Sequence, residues 1–102
     1  MLVVITTTSN EGEAEGLADA IVRAKLAACV QVLPPMTSFY WWGDDMQKEK
    51  EHLLLIKTLP EKYDELEAFI KGNHSYDVPE IVAIDSERVS EAYLAWMKNY
   101  LE

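Results

Sequence analysis

Residues 37–58 read Thr37-Ser38-Phe39-Tyr40-Trp41-Trp42-Gly43-Asp44-Asp45-Met46-Gln47-Lys48-Glu49-Lys50-Glu51-His52-Leu53-Leu54-Leu55-Ile56-Lys57-Thr58. Strong β formers run to Trp42, Gly43-Asp44-Asp45 makes a turn, and Met46–Thr58 returns as a second, longer strand. The returning strand changes character halfway. Gln47–Glu51 is polar throughout, whereas Leu53–Ile56 is apolar at consecutive positions, the pattern of a strand buried on both faces. A long hairpin with a protruding tip and a buried base follows.

Upstream of the hairpin, Cys29–Leu33 is strand-like and Pro34-Pro35 interrupts it, since proline cannot donate to a ladder; a bulge or an edge is expected there. Apolar side chains recur at helical spacing (Ala14, Leu17, Ala18, Ile21, Ala24, Ala28), so residues 11–27 read as a helix, with Asn10 and Glu13 placed as a capping box. Leu2–Thr8, Leu-Val-Val-Ile-Thr-Thr-Thr, reads as a central strand. Downstream, Thr58 and Glu61 suggest a second capping box, and Leu59, Tyr63, Leu66 and Ile70 line a helix that stops at Gly72-Asn73. His74–Pro79 is a loop, Ile81–Ile84 a strand, and Ser90 caps a last helix facing inward through Tyr93, Leu94, Met97 and Leu101.

The order is β-α-β-β-α-β-α. In the α+β class a ferredoxin-like split βαβ sandwich fits it, with a long hairpin and a C-terminal helix, as a single domain over residues 1–102. Both crossover helices lie on one sheet face. The other face keeps apolar side chains and only one short helix to cover it, so it is expected to be an oligomer interface.

Composition narrows the function. The chain is 49% hydrophobic and 26% charged, which excludes disorder and coiled coil. Its net charge is −9, with only Arg23 and Arg88 as arginines and no basic stripe, so nucleic acid and anionic membranes are not expected partners. No apolar run reaches the roughly 20 residues of a membrane span, and the start does not resemble a signal peptide. The single cysteine, Cys29, cannot form an internal disulfide and points to a reducing, cytoplasmic compartment.

No phosphate loop, nucleophile elbow or dinucleotide fingerprint is present, and the expectation is a protein that is not an enzyme. Cys29, at a helix-to-strand junction, reads as inert core or as a thiol. His74 follows a helix stop and has Asp77 and Glu80 nearby; it is either a copper or zinc ligand or a loop histidine bonded to backbone or carboxylate. His52 reads as a cross-strand surface residue. Tyr40 and Trp42 share a sheet face and suit either a packed aromatic belt or stacking on a ligand ring. Lys57 snorkels, answers a carboxylate or binds an anion.

Five strings then occur in register: Lys25-Leu26-Ala27-Ala28-Cys29-Val30, Thr37–Trp42, Glu51–Thr58, His74-Ser75-Tyr76-Asp77-Val78-Pro79-Glu80-Ile81, and Tyr93-Leu94-Ala95-Trp96. Together they resemble the CutA family of divalent-cation tolerance proteins over nearly the whole chain. The resemblance implies a tight homotrimer built by pairing long hairpins, similar to the PII signal proteins, which bind small molecules in clefts between subunits. It also implies metal binding, copper(II) or zinc, in a response to metal ions. The family's recurrent positions fall here on Cys29, Ser38, Tyr40, Trp42, Lys57, His74, Tyr76, Pro79, Glu80, Tyr93 and Trp96. From these we expect His74, Cys29 and Glu80 as metal ligands. Gln31, Ser38, Tyr40, Trp42, Lys57, Tyr76, Tyr93 and Trp96 are expected to line the cleft. The chain departs from the family pattern at Gln31 (usually Asn), Ser75 (usually Pro), the tip Trp42-Gly43-Asp44-Asp45, and His52 (usually aliphatic).

Overall fold

Seven β-branched or apolar residues open the chain and form strand β1, Leu2–Thr8, in the computed structural model, which describes all residues from Met1 to Glu102. The order continues as α1 (Glu11–Arg23), β2 (Cys29–Val32), β3 (Met36–Trp42), β4 (Asp45–Thr58), a single 3₁₀ turn at Pro60–Lys62, α2 (Tyr63–Gly72), β5 (Val82–Asp85) and α3 (Glu91–Leu101). The sheet runs β2-β4-β1-β5, with β3 also paired to β4, and each pairing is antiparallel. β4 therefore sits between β1 and β2, and β1 between β4 and β5: two interlocked split βαβ units, the ferredoxin-like arrangement expected.

The caps follow local chemistry. Asn10 Oδ1 accepts from the Glu13 amide at 2.8 Å, and Ser90 Oγ accepts from the Tyr93 amide at 3.3 Å. Two expectations are corrected. Helix α1 stops at Arg23, not at residue 27, because Lys25 adopts a left-handed φ of 57°. The Leu26 amide bonds back to the Ile21 carbonyl and the Lys25 amide to Val22, the two bonds of a Schellman stop, and Leu26 is thereby turned into the core. The second correction concerns Thr58, which does not cap α2. It is fully buried and its hydroxyl donates to the Leu26 carbonyl at 2.7 Å. Leu59 occupies the cap position without a side-chain bond, and Pro60 begins the turn.

The core lies between α1, α2 and one sheet face: Val4, Ala14, Leu17, Ile21, Leu26, Leu54, Ile56, Leu66 and Ile70 are buried there. A smaller cluster of Leu59, Met97 and Leu101 anchors α3. Leu53 and Leu55 were expected to be buried as deeply as Leu54 and Ile56. They are only half-buried, because they point to the face without the crossover helices.

Register explains the hairpin. Val32 pairs with Leu54 and Met36 with Glu51, so four steps on one strand answer three on the other. The extra residue falls at Pro34-Pro35, a β-bulge of the kind expected there. His52 Nδ1 lies 3.1 Å from the Leu33 carbonyl at this bulge, and since a carbonyl only accepts, the ring donates. Beyond the bulge the hairpin projects, and the molecule measures 46 × 25 × 23 Å.

Candidate functional site

The bulge decides which side chains meet. Side chains alternate along a strand, so Cys29 and Gln31 share the open face with Lys57 and Leu55, their partners on β4. One extra residue inverts the count, and on β3 it is the even positions, Ser38, Tyr40 and Trp42, that join this face opposite Glu49, Gln47 and Asp45. Thr37, Phe39 and Trp41 face the other way, where the Lys50 ammonium donates to Thr37 Oγ1 at 2.8 Å and the Lys48 ammonium lies 5.8 Å from the Phe39 ring centre.

A groove of about 720 Å³ opens beside the hairpin. Ser38, Tyr40 and Trp42 line it from β3, Gln47 and Glu51 from β4, Thr7 from β1, and Tyr76, Asp77, Val78 and Glu80 from the loop before β5. Glu51 is 7% exposed. The Tyr76 hydroxyl donates to its Oε2 at 2.8 Å. Burial, and then this carboxylate, hold the Tyr76 phenol far above its ordinary value, so it stays a donor. The Tyr40 phenol is also raised, first by lost hydration and then by Glu49 and Glu51.

His74 holds the loop in place. Its side chain is fully buried. Nε2 lies 2.7 Å from the Thr7 carbonyl, and Nδ1 lies 3.0 Å from the Tyr76 amide. The carbonyl only accepts and the amide only donates, so the ring is neutral with its proton on Nε2. Glu13 Oε1, 3.7 Å from Nδ1, is thus a polar neighbour and not an ion-pair partner; Ser75 Oγ donates to the same carboxylate at 2.9 Å. This is the backbone-bonded loop histidine, the second of the two readings of His74.

Metal fit can be judged from these donors. Both nitrogens of His74 are spent on backbone, so in this conformation it offers a metal no lone pair. Cys29 pairs with Lys57, and Lys57 with Val3, four residues along β1 from Thr7. At about 3.3 Å per residue that sets Cys29 about 13 Å along the sheet from Thr7, whose carbonyl His74 bonds. Glu80 stands exposed at the groove. His74, Cys29 and Glu80 do not come together within one chain, and no group of three His, Cys, Asp or Glu is placed to hold an ion.

The other expected cleft residues divide between two places. Ser38, Tyr40, Trp42 and Tyr76 line the groove. Lys57, Tyr93 and Trp96 form a second cluster at the opposite end of the open face. The Lys57 ammonium lies 5.8 Å from the Tyr93 ring centre, Tyr93 stacks on Trp96 at 5.5 Å, and Trp96 meets Tyr100 at 5.5 Å. Gln31 is exposed on edge strand β2, and Pro79 is half-buried. Sequence reasoning missed Glu51, Glu13 and Tyr100. Glu51 was legible in part: it stands where β4 turns from polar to apolar, at the same alternation as Leu53 and Leu55.

The profile of the family described as "CutA1 divalent ion tolerance protein" matches residues 2–100. The chain is 42% identical over 98 residues to "Protein CutA 1, chloroplastic" of Oryza sativa subsp. japonica, covering 96% of this chain and 55% of that one. The chain thus spans about half the length of the curated plant relatives it matches. It is 38% identical over 97 residues to the "Divalent-cation tolerance protein CutA" of Thermus thermophilus, 95% of this chain and 94% of that one. A solved structure of the protein from Thermus thermophilus superposes with a TM-score of 0.95 at 37% identity, covering 100% of each chain. The family carries a tolerance name and not a reaction name. With a chloroplastic protein among the relatives, membership by itself assigns no compartment; no helix of this chain is long and apolar enough to cross a membrane. The chain belongs to the CutA1 divalent ion tolerance protein family.

Proposed function

We propose that the chain serves divalent-cation tolerance as a homotrimer, whose subunits meet over the open sheet face and the projecting hairpin, and which takes up copper(II) or zinc where subunits meet. The observation that carries this reading is the apolar surface one chain leaves bare. Phe39 is 62% exposed, Trp41 70%, Trp42 62% and Met46 60%, all on one hairpin. Val82 and Ile84 are half-exposed on β5, on the same face as the half-buried Leu53 and Leu55 and separated from them by β1. Phe39, Trp41 and Met46 lie on one face of the hairpin and Trp42 on the other, and isolated subunits rarely keep apolar patches on both faces of one element in water.

A metal site within one chain does not fit the donors present. Cys29 lies on the open face, Glu80 at the groove, and a second subunit can bring such donors together. Thiolate and carboxylate suit copper or zinc, and the free, half-buried Cys29 suits a reducing compartment such as the cytoplasm. The tolerance name of the family favours this reading over a small-molecule sensor.

Copper(II) calorimetry on the metal-free protein, with the assembly mass measured alongside, tests the reading. Saturable binding weakened about tenfold by Cys29→Ser or Glu80→Gln supports it. Affinity unchanged in both variants, or a chain that stays monomeric, overturns it.

A further inference from the structure

We propose that Glu13, Ser75, Tyr76 and Glu51 form a brace from the first turn of α1 to the root of the hairpin, and that this brace sets the direction in which the hairpin projects. Glu13 is its positioning residue and acts through Ser75. As the third residue of α1, Glu13 is placed to bond back to the Asn10 amide and complete the capping box. It reaches instead to the loop before β5. Both of its oxygens accept from Ser75 Oγ at 2.9 Å, and Oε1 accepts from the Ser75 amide at 3.4 Å. A contact across 62 residues of sequence takes the place of a local one. Such departures from local preference fall where tertiary structure serves function.

The loop passes the constraint on. Three successive residues fasten it to three elements: His74 to the Thr7 carbonyl of β1, Ser75 to α1, and Tyr76 to the buried Glu51 of β4. Glu51 is the root of the hairpin. The pairing of β4 with β1 ends at His52, and the pairing of β4 with β3 begins at Glu51 and Met36, just past the Pro34-Pro35 bulge. The strand thus loses its sheet neighbour at the residue that Tyr76 grips. From Glu51 to Asp45, at about 3.3 Å per residue, the arm is about 20 Å long. A tilt of about 10° at its root moves the tip by about 3 Å, enough to part apolar side chains that touch within about 4 Å. The brace therefore acts on assembly, a consequence that rests on the reading above in which subunits meet over the hairpin.

The experiment is subunit exchange between isotope-labelled and unlabelled assemblies, followed by native mass spectrometry in chelator. Ser75→Ala should exchange about tenfold faster than wild type, the factor for losing one hydrogen bond to a charged group. Glu13→Ala should do the same, and the double variant no more, because the two residues act as one contact. Ser75→Thr keeps the hydroxyl and should exchange at the wild-type rate. Ile70→Val, at a fully buried position on α2, lowers fold stability without touching the brace and should also leave the rate near wild type. Exchange unchanged in Ser75→Ala, or quickened as much by Ile70→Val, overturns the proposal. A wild-type chain of single mass defeats the assembly reading instead; hydrogen exchange of the Tyr76 amide then decides the brace, about tenfold faster in Ser75→Ala if it holds and unchanged if it does not.

Discussion

Replacing His74 by alanine separates a structural histidine from a metal ligand. The imidazole is fully buried and makes two backbone bonds, to the Thr7 carbonyl at 2.7 Å and from the Tyr76 amide at 3.0 Å. Each such bond contributes about 1 kcal/mol net, and stranding its partner adds to the loss. The ring also packs against Tyr76, centroid to centroid at 4.8 Å, and truncation leaves a void there. Two bonds and a partly collapsed cavity together come to about 3 kcal/mol. For a domain of 102 residues this lowers the melting temperature by roughly 12 °C or more. The assay is urea unfolding in chelator, with wild type and His74→Ala at one protein concentration, because association adds to apparent stability. A loss below about 1 kcal/mol without metal, joined to a loss of copper affinity, would refute the assignment of His74 as the strut of the loop.

Three further outcomes are expected. Lys25→Gly should stabilise the chain by about 0.5–1 kcal/mol, because glycine accepts the left-handed φ of 57° that lysine adopts under strain; chemical denaturation reads this directly. Thr6→Val should also stabilise it, by about 1 kcal/mol, since the fully buried Thr6 hydroxyl has no hydrogen-bond partner. The third outcome concerns alkali. Tyr76 keeps its proton in the folded chain well above the ordinary value of 10.0, while the unfolded chain releases it near that value. Its contribution is therefore complete below about pH 10 and fades as pH rises toward the folded-state value. Tyr76→Phe should flatten that part of the alkaline limb in a pH series of melting curves, and an unaltered limb would contradict the burial of this phenol.

The features legible in the sequence were the ones whose causes are local. Asn10 and Ser90 cap helices because their own side chains reach amides three residues on. Leu2–Thr8 and the hairpin strands declare themselves by β-branched and aromatic content. The misread features are those set by distant partners. Thr58 resembles a cap, but Leu26, 32 residues away in sequence, takes its hydroxyl. Helix α1 stops early without a glycine to mark the place, because the chain turns at Lys25 to bury Leu26. His74 is bound to Thr7 across 67 residues of sequence, a pairing that no spacing rule supplies. Counting alternate positions told which side chains of β3 share a face; only the register across the Pro34-Pro35 bulge told which face it is.

The most direct test of the account is the mass of the metal-free protein in dilute solution, by light scattering or native mass spectrometry. The bare aromatic hairpin and the half-covered open face predict an assembly larger than one chain, and the proposed homotrimer sets its mass at three times the 11.6 kDa chain at micromolar concentration. A stable species of one chain's mass, with Trp41 and Phe39 left in water, would contradict it.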